Sequence, residues 1–214
     1  MNNMITIDKI EDGLPISVII PLSKQREDFF YSFTLPLIEA NDPMEIIINS
    51  AKGSAPKKRN DGFKKSTQPY VFFCDDDILL PANLLETLHK KLESNKDVGY
   101  AYSGYWGIVI DTENHPMKNN YHIKSQNFNP DDLKKYNYIS TMSLIRRDVF
   151  IGFDETLKRF QDWDLYLSLL KKGVVGEFVE DIDFLAFYLD AGLTSRENNI
   201  IQGVNKIKNK HAIY

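Results

Sequence analysis

The sequence predicts an α/β domain with a mostly parallel central sheet flanked by helices. Two observations carry this. β-branched apolar runs at 16–22, 44–50 and 70–74 alternate with segments of helical pattern, and that alternation builds parallel sheets through crossover helices. The 214-residue chain is 43% hydrophobic and 26% charged, enough to bury the core of one domain.

"ISVIIPL" (16–22) reads as a buried strand ended by Pro21. "DFFYSFTLPLIEAN" reads as a helix that Pro36 should end or kink, because proline has no N–H to donate. "MEIIINS" (44–50) is a second buried strand, and "AKGSAPKKRNDGFKKS" is part loop, part helix. "YVFFC" (70–74) is a third strand. "PANLLETLHKKLESN" (81–95) is a helix with Pro81 in its first turn and Leu84, Leu85, Leu88 and Leu92 on one face. "VGYAYSGYWGIVI" (98–110) reads as a fourth strand with a bend near Gly104 or Gly107.

Residues 111–137 are polar and irregular, with a short helix at "PDDLKKY". "ISTMSLIRRDVF" is a strand leading into a helix. "QDWDLYLSLLKKG" is a helix with Leu165, Leu169 and Leu170 inward and Gly173 as its stop. "GEFVEDIDFLAFYLD" supplies one or two late strands. Residues 1–195 read as a single domain and 196–214 as a polar, basic tail, helical or partly disordered.

Bulk properties narrow the function. A net charge of -4 argues against nucleic acid as the partner. No run of roughly 18 apolar residues exists, so no membrane-spanning helix is expected, though the basic tail is compatible with peripheral contact at an anionic surface. The start "MNNMITIDKIEDG" lacks a basic, apolar leader. The single cysteine, Cys74, rules out an internal disulfide, and a cytoplasmic location, at the inner membrane surface or away from it, is expected.

The chemistry concentrates at "YVFFCDDDILLP" (70–81), where a buried strand runs into Asp75, Asp76 and Asp77. Ligands of open α/β sheets bind beyond the carboxyl ends of the strands, where these acids fall. Closely spaced carboxylates grip a hard divalent cation or sugar hydroxyls, and Mg²⁺ typically takes one or two carboxylates plus substrate phosphates. The nearby Lys57, Lys58, Arg59, Lys64 and Lys65 would suit a diphosphate. The structural alternative is an acidic turn complementing the next helix N-terminus.

Five segments in order resemble inverting family-two glycosyltransferases of the GT-A fold: "ISVIIPLSKQRED", "MEIIINSAKGS", "RNDGFKKSTQPYVFFCDDD", "STMSLIRRDVFIGFDETL" and "RFQDWDLYLSLLKKG". The resemblance implies a Rossmann-like nucleotide-binding half joined to an acceptor-side half. It implies a nucleotide-sugar donor, a UDP-sugar foremost, with Mn²⁺ or Mg²⁺ and a glycan or lipid-linked glycan acceptor. Pro21, Ser23 and Arg26 would line the nucleotide pocket, and Arg59 would approach the ribose or diphosphate. Asp75 and Asp76 would meet the donor, and Asp77, with Asp75, would hold the metal. Asp162 would be the catalytic base.

Some positions depart from the family pattern. Gln161 stands where a Glu usually precedes the base. Asn49-Ser50-Ala51 stands where aspartates usually read the uracil, leaving Asn49 as a candidate base contact. Arg196 is the late candidate for the diphosphate.

Read without the resemblance, Asp162 and Asp164 are acids complementing a helix dipole, and Trp163 is packing or a sugar-stacking floor. His89, His115, His122 and His211 show no metal-ligand spacing, and His122 is a candidate acceptor contact. Two competing readings stand beside transfer of a sugar. One is a Mg²⁺-dependent nucleotidyltransferase, which would want a Gly-rich loop that "PLSKQRED" lacks. The other is a non-catalytic glycan- or nucleotide-binding module on a degenerate transferase fold.

Overall fold

The computed structural model describes residues 3–8, 12–111, 115–116, 121–189 and 197–213. The chain runs β1 (Met4–Asp8), β2 (Leu14–Ile20), α1 (Glu27–Phe29), a π-helical turn (Phe30–Thr34), α2 (Leu35–Ala40), β3 (Pro43–Asn49), α3 (Ala55–Lys65), β4 (Tyr70–Phe73), β5 (Ile78–Leu79), α4 (Leu84–Ser94), β6 (Tyr100–Tyr102) and β7 (Tyr105–Asp111). β8 (His115–Pro116), β9 (Tyr121–Ile123), α5 (Pro130–Lys135), β10 (Ser143–Arg146), α6 (Gln161–Lys171), β11 (Gly176–Phe178), β12 (Phe184–Leu189) and α7 (Glu197–His211) follow.

A seven-stranded sheet has the order β1-β3-β2-β4-β10-β6-β11. β2, β3, β4, β6 and β11 run one way, and β1 and β10 run against them. Both faces are covered, which explains why its strands read as unbroken apolar runs rather than alternating ones. Ile16, Val18, Ile20, Ile46, Ile48 and Phe72 face the leucines of α4 and Ile38 of α2. Ile19, Ile47, Val71 and Phe73 belong to the opposite core with Leu165, Tyr166 and Leu169 of α6, Leu133 of α5 and Ile207 of α7. The split between neighbouring residues is the two-residue period of a strand. On this second face α3 comes close, because a Cβ at Gly62 would lie 2.5 Å from Ile19 Cγ2.

A smaller sheet, β5-β12-β7-β8 with β9 on β7, stands beside the acid cluster. The predicted fourth strand is therefore two. The chain leaves the large sheet at Tyr102, turns at Ser103-Gly104, and enters the small one at Tyr105. Pro36 neither ends nor sharply breaks its helix. The π-helical turn before it lets Leu35 N–H reach back to Phe30 O, and Pro36 then sits in the first turn of α2, where its missing N–H costs least. Pro81 stands ahead of α4, its carbonyl accepting from Leu84 N at 3.2 Å. Gly173 ends α6 at φ +77. The tail forms α7, which packs Ile207 and His211 inward.

Candidate active site

The three acids follow β4, at the carboxyl end of the parallel strands. Asp76 and Asp77 converge on one nitrogen of Arg26 while Asp75 turns to Arg59, and the two guanidiniums offset part of the mutual repulsion. Asp76 is buried and faces the loop after β2: its Oδ2 accepts from Ser23 N at 2.6 Å and its Oδ1 from Arg26 Nη1 at 2.8 Å. Arg26 Nη1 also lies 2.8 Å from Asp77 Oδ2. Asp75 pairs with the guanidinium of Arg59. Burial and repulsion from Asp75 push the Asp77 carboxyl up to about 7, against the pull of Arg26. Two arginines thus leave the cluster short of positive charge.

Successive residues of α3 tie the site together. Lys58 Nζ donates to Leu22 O at 2.6 Å, and burial lowers its pKa. Arg59 is 4% exposed, lies 5.4 Å from the ring centre of Phe153, and donates to Gln161 Oε1 at 2.9 Å. Its Nε is buried without a partner among the described residues. Asn60 clasps Phe153 in both directions, Nδ2 to its carbonyl at 2.9 Å and Oδ1 from its N–H at 2.8 Å.

Asp162 occupies the first turn of α6 and is half-buried. Burial raises its pKa, while the Trp163 N–H at 2.8 Å, a hydrogen bond from Asn137 and the charge of Arg59 work the other way. Such a carboxylate is more basic than an exposed one. Asp164 does something else. It is 4% exposed and paired with Lys210 and His211 of α7, rather than left to complement the helix dipole. Trp163 is core, 2% exposed, with its indole N–H on Leu133 O at 2.6 Å, so the stacking-floor alternative is not what it does.

Of the other predicted residues, Pro21 is buried and Ser23 half-buried in the loop held by Asp76. Both polar atoms of the Asn49 amide are engaged by backbone, Nδ2 on Lys58 O at 3.0 Å and Oδ1 from Ala51 N at 3.1 Å. Arg196 lies outside the described residues. His122 meets Asp183 at 2.6 Å and stacks on Trp106 at 4.4 Å, on the small sheet. Sequence reasoning singled out the segments that contain Asn60 and Phe153 without giving either residue a role, and it missed Asn137. Gly152, with φ +89, shapes the loop that Asn60 holds. Asn137 stood in an irregular stretch with no periodicity to read.

Among the described residues, no three His, Cys, Asp or Glu side chains converge as a metal site. Asp76 is buried on Ser23 and Arg26, whereas Asp75, paired with Arg59, and Asp77, beside Arg26, are only half-buried. Two carboxylates fit a cation of the Mg²⁺ type only when substrate oxygens complete its shell. The raised Asp77 carboxyl is consistent with a site that is short of positive charge.

A family model described as glycosyl transferase family 2 matches residues 32–152, more than half of the chain. The chain belongs to glycosyl transferase family 2. That match runs from the π-helical turn to Gly152, so it spans α3 and the acid cluster and stops short of α6 and Asp162. This family-two chain has the GT-A fold, and solved structures of S. aureus TarS share it. TarS 1–349 in complex with UDP superposes with a TM-score of 0.61 at 14% identity, over 91% of this chain and 64% of that one. TarS 1–349 in complex with UDP-GlcNAc gives 0.58 at 15% identity, over 81% and 58%. The family-two chain therefore spans about three fifths of those solved chains. Among curated proteins none matches its sequence. No helix among the described residues is long and apolar enough to cross a membrane.

Proposed function

We propose that this chain transfers a sugar from a nucleoside-diphosphate sugar to an acceptor hydroxyl, with inversion at the anomeric carbon. One observation carries the reading: Arg59 links Asp75 of the acid cluster to Gln161, the residue before Asp162. A donor-binding end and a basic carboxylate thus share one rigid connection. Asp162 accepts the acceptor's hydroxyl proton as that oxygen attacks the anomeric carbon. The bond from that carbon to the diphosphate breaks, and the diphosphate leaves with the electron pair. No enzyme nucleophile takes part, so a single displacement inverts the centre. Arg59 and Arg26 offer positive charge to the leaving diphosphate, and the fixed frame of α3 and α6 holds the reactants in line.

A divalent cation, Mn²⁺ or Mg²⁺, would be held by Asp77 and Asp75 and would supply further charge neutralisation there. UDP and UDP-GlcNAc in the TarS complexes make a UDP-sugar the first donor to try. Pro21, Ser23 and the 23–26 loop form the proposed nucleotide wall. A glycan or lipid-linked glycan is the proposed acceptor. Residues 1–195 are the proposed catalytic domain, and α7 of the following segment packs into it through Ile207 and His211.

A thermal-shift screen of UDP and UDP-GlcNAc, with Mn²⁺ or with EDTA, tests the donor site. A ligand that binds only the native state stabilises it by about 2.7 kcal/mol at ~100 times Kd. The shift is expected with Mn²⁺ and lost in EDTA. Equal shifts in both would remove the metal from the reading, and none with any nucleotide would remove the donor.

A further inference from the structure

α7 grips the turn that delivers Asp162. The loop from Asp154 to Phe160 and the first turn of α6 that follows it are touched by α7 at four places. Lys206 Nζ donates to Thr156 O at 3.1 Å. Lys210 Nζ bridges the start of the loop and that first turn, 2.7 Å from Asp154 Oδ2 and 2.8 Å from Asp164 Oδ2. His211 Nε2 lies 2.7 Å from Asp164 Oδ1 in a buried contact. Gly203 faces the ring of Phe160 so closely that a Cβ there would stand 2.8 Å from it.

Phe160 is the pivot of this turn. It is a non-glycine residue held in the left-handed region, φ 56 and ψ 34, a conformation side chains adopt only when their surroundings impose it. Its carbonyl accepts the N–H of Asp164 at 2.9 Å, in the first turn of α6, and its ring packs edge-on to Trp163 at 5.9 Å. Asp162 sits between these two fixed points. An ammonium that ties the start of the loop to the first turn of α6, backed by a glycine that lets α7 lie on Phe160, sets the direction in which α6 begins.

We propose that Lys210 is a positioning residue for Asp162, acting through Asp154 and Asp164 to hold the turn at Phe160. This rests on Asp162 as the base. An ion pair that served only stability would leave the rate per folded molecule unchanged. A positioning contact changes that rate, since misplacing a reacting group by about 1 Å can cost on the order of 10²-fold.

The test uses the full chain with UDP-GlcNAc and Mn²⁺ as probe, comparing wild type, Lys210→Met, Lys210→Arg and Asp162→Asn. Amide exchange of residues 157–165, UDP release by hydrolysis of the donor, and UDP affinity are measured. Lys210→Met is expected to speed exchange at Gln161–Asp164 by about tenfold or more, while the amides of β4 stay as they were. It should lower UDP release by about 10–10²-fold with UDP affinity within about twofold, and Lys210→Arg should restore both. If Lys210→Met does not fold, Asp154→Asn, at the more exposed anchor, must reproduce the pattern. Unchanged exchange in these variants, or a rate that falls only in step with the folded fraction, would overturn the proposal. Wild-type UDP release by Asp162→Asn would instead defeat the base assignment, and it would do so whatever the exchange data show.

Discussion

Arg59 and Gln161 are joined at 2.9 Å, from a guanidinium Nη1 to an amide Oε1, while the same guanidinium pairs with Asp75. One buried fork therefore connects the end of β4 to the start of α6. Replacing it by lysine keeps the charge and loses the fork, because an ammonium on a flexible stem cannot meet both partners in one plane. Arg59→Lys should lower stability by about 1–3 kcal/mol, since a partner is left unmatched in a buried site. Urea unfolding checks this, and a midpoint equal to wild type would show that the link carries no energy.

Asp77→Asn should make the metal-free protein more stable at neutral pH. The carboxyl is already pushed up to about 7 by burial and by Asp75, so its charged form is held at a cost that the amide avoids. The same variant should lose the Mn²⁺-dependent part of the UDP shift. A melting temperature below wild type in EDTA would make Asp77 a structural cap instead.

The contact between α7 and the Asp162 turn should weaken in acid. Lys210 and Thr156 hold the Asp154 carboxyl down at about 2. Burial works to raise Asp164, but His211 and Lys210 outweigh it and its pKa falls below the ordinary value. Folded values below unfolded ones mean that the stability is present above pH ~4 and is lost as the pH falls through the folded values. The gap in melting temperature between wild type and Lys210→Met should therefore narrow from pH ~6 down to pH ~2.5. A gap independent of pH would contradict the pairing.

Much of the frame was legible because it rests on short-range pattern. The unbroken apolar runs of β2, β3 and β4, the leucine face of α4 at a period of 3.6 and the acids directly after β4 are all local to the chain. The bend near Gly104 was legible, but its consequence was not, because both halves of that run are apolar and only the tertiary fold sends them to different sheets. The π-helical turn escaped for a related reason: Pro36 announces an irregularity without saying whether the chain ends or repacks around it. Long-range partners were the least readable. Nothing local to "QDWD" shows that Asp164 belongs to Lys210 and His211, nearly fifty residues on, or that Gln161 meets Arg59.

The proposed transfer depends above all on Asp162. Asp162→Asn keeps the side chain's size and an oxygen for the Trp163 N–H, so the fold should be retained. It cannot take a proton. With UDP-GlcNAc and Mn²⁺, UDP release should fall by roughly 10²–10⁴-fold, the usual contribution of a general base. UDP affinity should stay near wild type, since those contacts are assigned to the acid cluster and Arg59. Release at the wild-type rate, with UDP still bound, would contradict the assignment of Asp162 as the base.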